Sequence, residues 1–114
     1  MTGAFWDNLA EEMQDPEFAR MYAADTIRIR TIDAIVNVLR DAATAEGVTR
    51  EQIAKATGKQ AAAVRRLLSA DTVNPTVTTV AEVAAALGYR ITLQKMAPEE
   101  RAEITDPMRA AAAA

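Results

Sequence analysis

The chain has 114 residues, half of them hydrophobic but only 4% aromatic, a balance that favours one small domain of aliphatic helices plus tails over a sheet core. It contains no cysteine and no histidine, which excludes a disulfide framework and a thiolate site and removes the commonest general base and metal ligand. The net charge of −3 is unevenly spread: residues 1–26 hold Asp7, Glu11, Glu12, Asp15, Glu17 and Asp25 against Arg20, whereas residues 47–73 hold Arg50, Lys55, Lys59, Arg65 and Arg66 against Glu51 and Asp71.

Taken in chain order, "FWDNLAEEMQ" spaces Phe5, Leu9 and Met13 at helical intervals with Trp6 alongside, which predicts a short amphipathic helix. Asp15 as N-cap, Pro16 at the first helical position and Glu17 in the first turn open a second helix, and Gly47 is placed to end it. This helix of roughly 30 residues would be about 45 Å long, unless it breaks at Asp25-Thr26, whose side chains compete for backbone hydrogen bonds. Ile32, Ile35, Val36 and Leu39 form its expected core stripe. Thr49 and Gln52 have capping-box spacing, so a third helix begins at Arg50, with Ile53, Ala54 and Thr57 inside and Gly58 making the turn. The fourth helix runs from Ala61 to Ser69, turning Val64, Leu67 and Leu68 inward and Ala62, Arg66 and Ser69 outward, with Arg65 on the flank. After "SADTVNPT" a fifth helix is signalled by Val77, Val80, Ala81, Ala84 and Leu87 and closed by Gly88. The segment "YRITLQ" alternates, Tyr89, Ile91 and Leu93 against Arg90, Thr92 and Gln94, and predicts a lone strand whose edge must lie on a helix or pair with another molecule. From Met96 onward no apolar period holds the tail, so residues 95–114 are expected to fray, the terminal alanines helical only transiently.

A helix ending in glycine, a tight turn and a second helix with a slim basic outer face is the layout of a helix-turn-helix, whose second helix enters the DNA major groove. An ordinary helical hairpin with a solvated basic face has the same local pattern. The wider stretch from Gly47 to Leu93, with "NPT" before a last helix ending "ALG", resembles the XRE, or Cro/repressor-like, family. The N-terminal "DNLAEEMQDPEFARMY" looks like the leader of many HigA-like antitoxins of that family, and the two resemblances together cover about four fifths of the chain. The sequence departs from the family's usual pattern at Arg50, where glutamine is common, at Gln60, where serine is, at Ala61, Ala62 and Ala63, where base-reading polar side chains are, and at Ala70, where glycine is.

The expected fold is all-α: a five-helix-type helix-turn-helix domain over residues 27–94, an N-terminal helical arm over 1–26, and one short C-terminal strand pairing across a dimer. The resemblance implies an antitoxin that neutralises a RelE/HigB-type toxin, a small basic ribonuclease acting on mRNA at the ribosome, and represses its own operon. On double-stranded operator DNA, Arg50 and Lys59 would contact phosphate, Arg66 a base edge, and Ala61 or Ala62 a thymine methyl, with Gln60, Arg65 and Ser69 completing the face. Phe5, Trp6, Leu9, Phe18 and Tyr22 would anchor the toxin on the acidic arm, unless they fold back onto the chain's own core. Tyr89, Ile91 and Leu93 would form the homodimer interface. The alternative is a stand-alone XRE-type repressor with no toxin partner, and a protein-only interaction module is a further class. An enzyme is poorly supported, because Glu11-Glu12 and Glu99-Glu100 are neighbours whose side chains diverge by about 100° on a helix. No metal, cofactor or small-molecule substrate is expected. Without a leader-like start or an apolar run near the ~20 residues that span a bilayer, no membrane partner is expected and the location is read as cytoplasmic.

Overall fold

The computed structural model describes residues 3–69 and 74–113. They form α1 (Gly3–Glu12), α2 (Pro16–Glu46), α3 (Arg50–Thr57), α4 (Ala61–Ser69), α5 (Val77–Ala86), α6 (Pro98–Glu100), a π-helical turn (Arg101–Thr105) and α7 (Asp106–Ala113). Two compact units emerge: Arg30–Leu93, and the paired segments Met1–Ile29 with Gln94–Ala114.

Within residues 30–93, local chemistry sets each helix boundary. Thr49 is extended (φ −82°, ψ 161°), its Oγ1 accepts from the Gln52 N–H at 3.1 Å, and the Gln52 Oε1 accepts from the Thr49 N–H at 2.8 Å. The capping box thus satisfies two donors that the first turn would otherwise leave open. Gly58 ends α3 at φ 68°, which lets the Lys59 N–H reach back to the Ala54 carbonyl at 2.9 Å. A Cβ at Gly58 would meet nothing within 4 Å, so glycine is needed there for its φ and not for space. Thr76 caps α5 by accepting from the Thr79 N–H at 3.1 Å. Four helices then close one core: Leu39 and Ala42 of α2, Ile53 and Ala54 of α3, Val64, Leu67 and Leu68 of α4, and Val80, Val83, Ala84 and Leu87 at the end of the unit. Burial of each large aliphatic side chain contributes roughly 1.5–3 kcal/mol. Val36 is also buried, Ile32 and Ile35 are half-buried, and Val77, at the start of α5, is exposed.

In the other unit the Asp15 carboxylate accepts from the Glu17 N–H at 3.1 Å and starts α2 at Pro16. The possible break at Asp25-Thr26 does not occur. Asp25 pairs with Arg28 at 3.6 Å, one turn on, and α2 runs unbroken through both residues. Among the described residues of this unit Ala19, Ala23 and Ile104 are buried, and α1 buries none.

Two expectations are corrected. No strand forms over Tyr89–Leu93 among the described residues; Tyr89, Ile91 and Leu93 are exposed in a segment without regular secondary structure. Alternation gives a segment strand character, but a ladder needs a partner edge, and none occurs among the described residues. The tail expected to fray is helical from Pro98 to Ala113 and buries Ile104. Pro107 has no N–H for an ordinary helical bond, and the turn before it is widened, the Asp106 N–H reaching the Arg101 carbonyl. The turn after Ser69, with Ala70, lies outside the described residues.

Candidate nucleic-acid interface

The packing of α3 against α4 around the Gly58 turn leaves an outer face made of the residues the core does not use. Arg50 and Gln60 are exposed, as are Ala62, Arg65, Arg66 and Ser69 on α4, while Ala61 is half-buried and packs against the core. Of the two alanines offered to a thymine methyl, Ala62 is therefore the more accessible. Gln60 precedes α4, its carbonyl accepting from the Ala63 and Val64 N–H groups at 3.0 and 3.2 Å.

The cations of this face fall into two groups. Lys59 is half-buried and its Nζ lies 3.2 Å from the Glu82 Oε1 of α5. Arg65 lies 3.8 Å from Glu51 in the first turn of α3, with both side chains more than half exposed. Arg50 and Arg66 have no ion-pair partner among the described residues. Neither has to give up a carboxylate of the described residues to meet a phosphate or a base edge.

At the far end of α4 the Ser69 Oγ donates to the Arg66 carbonyl at 3.0 Å, and the Arg40 guanidinium of α2 donates through Nε, at 3.0 Å, and Nη2 to the Leu68 carbonyl. Arg40 and Glu82 are not singled out by the sequence, and Glu51 only as an acid among the bases of residues 47–73. Glu51 had one signal, its place in the first turn of α3; Arg40 and Glu82 had none, since their partners lie on other elements.

The arm residues are placed separately. Phe5 and Trp6 meet edge to face at 5.0 Å, and Phe18 stacks with Tyr22 at 6.3 Å. Phe5 is 67% exposed, Trp6 56% and Tyr22 43%, with Leu9 and Phe18 half-buried. Met21, not singled out in the sequence, is also half exposed. Glu17 accepts a hydrogen bond from Arg20 at 3.1 Å, and that bond holds its carboxyl below the usual carboxylate range. No group of three or more metal-ligating side chains occurs among the described residues, and no helix among them is long and apolar enough to cross a membrane.

Residues 39–94 match a family model described as Helix-turn-helix. Comparison with curated proteins and with solved structures found no match. The matched span runs from the core end of α2 through α5 and includes the capped, glycine-turned pair α3 and α4. Over residues 39–94 the chain is accordingly similar to a helix-turn-helix domain, the kind of domain carried by DNA-binding transcriptional regulators.

Proposed function

We propose that the chain is a DNA-binding antitoxin that holds a basic ribonuclease toxin of the RelE/HigB type on its N-terminal arm and represses its own operon through α3 and α4. One observation carries the toxin half: Phe5, Trp6 and Tyr22 lie exposed on a stretch bearing six acids and one base. Exposed aromatics supply anchors and the surrounding acids steer a cationic partner, the combination expected of a hot spot on a charged surface. In the DNA half, α4 is the recognition helix, Arg66 reads a base edge and Arg50 holds phosphate. A single short recognition helix gives too few contacts for a specific site, so two copies bind half-sites about 34–36 Å apart. The exposed, alternating Tyr89, Ile91 and Leu93 support antiparallel pairing of the two copies along this segment.

The experiment is co-expression with the adjacent open reading frame. Growth rescue and co-purification of a small basic protein by the full chain, both lost without residues 1–26 while DNA binding persists, are expected. A chain that binds a selected operator but retains no partner is the stand-alone repressor, and the toxin half of the reading then fails.

A further inference from the structure

We infer that Arg40, on α2, is a positioning residue for DNA reading: it fixes the C-terminal end of the recognition helix and through it the pose of Arg66. The inference rests on the DNA-binding reading of α4. Leu68 is one of the last four residues of α4, whose carbonyls have no partner within the helix. Every other helix of residues 30–93 runs into a glycine within two residues of its end, Gly47 after α2, Gly58 after α3 and Gly88 after α5, each with positive φ. In the sequence α4 is followed by Ala70 and Asp71 instead. At the end of α4 a side chain from another element binds one of the terminal carbonyls. Arg40 places two donors on that one oxygen, which has two lone pairs to receive them.

The geometry makes this a clamp. Arg40 follows Leu39, a core residue of α2, so its backbone is held; Leu68 is 1% exposed, so the accepting end is held too. The guanidinium brings positive charge to the negative end of the α4 dipole, and a charge-assisted bond is stronger than a neutral one. Arg66 sits within the same last turn, its carbonyl taken by Ser69. Any swing of the α4 terminus would move the Arg66 side chain with it. Lysine carries the same charge but no planar fork, so Arg40→Lys separates charge from positioning.

The test uses the full chain, a duplex it selects from a random-sequence pool, and a scrambled duplex of equal length. For Arg40→Lys the preference for the selected duplex is expected to fall about tenfold, with affinity for the scrambled duplex and the salt slope unchanged. Arg40→Met should lose the same preference. Amide exchange in α4 should quicken in both variants, with α3 and α5 unaffected. Full preference in Arg40→Lys, joined to a salt slope lower by about 1 on both duplexes in Arg40→Met, would make Arg40 a phosphate contact and overturn the inference. Lower melting with an unchanged preference in both variants would leave it a purely structural role and also overturn it. A wild-type chain that enriches no sequence removes the DNA reading itself, and this role with it.

Discussion

Residues 30–93 and residues 3–29 carry the same kind of helical apolar spacing and dispose of it in opposite ways. In the first, Ile53, Val64, Leu68 and Val83 reach 2% exposure or less; in the second, Phe5, Trp6 and Tyr22 stay between 43% and 67% exposed and only Ala19 and Ala23 are buried. Periodicity dictates that a segment is helical and which side is apolar, but not whether that side meets its own core. Where large aliphatics converge from four helices, they form a core. Where exposed aromatics stand among acids and only small alanines are buried, they remain a surface available to another molecule.

The sharpest way to break this contrast is to truncate one large side chain in each region. Leu68→Ala should cost about 2–5 kcal/mol through lost burial and the cavity left behind, whereas Trp6→Ala should stay within about 0.5 kcal/mol in the isolated chain, both measured by denaturant unfolding. A large loss at Trp6 would mean that the arm is folded onto a core after all.

A second set of variants sharpens the DNA side. Arg66→Ala should cost about 1–3 kcal/mol on the selected operator and little on scrambled DNA, and Arg50→Ala should weaken both duplexes and lower the salt slope by about 1. Lys59→Ala should do less than Arg50→Ala, because Lys59 is engaged by Glu82. Equal loss on both duplexes for Arg66→Ala would remove its role as a reader. Gly58→Ala should destabilise the domain by about 1–2 kcal/mol, the cost of a left-handed residue with a Cβ, though no neighbour blocks the methyl group.

These variants also trace how much the sequence carries. The capping box at Thr49 and Gln52, the Gly58 turn and the inward Val64, Leu67 and Leu68 were legible because each depends on spacing within one or two turns. The Arg40 bonds to Leu68 and the Lys59–Glu82 pair were not, because they join residues that only the fold brings together. Strand character at Tyr89–Leu93 was legible as alternation, yet alternation does not provide an edge. The terminal helix was missed because Ile104 is its one buried residue among those described, and because Pro107 reads as a helix breaker until the π turn accommodates it.

Smaller effects bear on the ends of the chain. Ile91→Pro removes a backbone donor and should turn the proposed dimer into a monomer in sedimentation while helical circular dichroism persists; a dimer that survives would move the contact to the helices. The smallest effect is on pH dependence. The hydrogen bond from Arg20 lowers the Glu17 pKa below its unfolded value, so its contribution is present above the usual carboxylate range and is lost as pH falls through the lowered value. Both side chains are exposed, so Glu17→Gln should flatten the acid limb of thermal stability only slightly.

The separation of a DNA-reading face from a partner-binding arm is tested most directly by one titration. The protein encoded beside this chain is titrated into the wild type and into a Phe5→Ala, Trp6→Ala double variant, each already bound to the selected operator. Wild type should bind a small basic protein, and the double variant should bind it at least about a hundredfold more weakly with operator occupancy unchanged before titration. Equal binding by the two, or loss of the operator along with the partner, would contradict the separation.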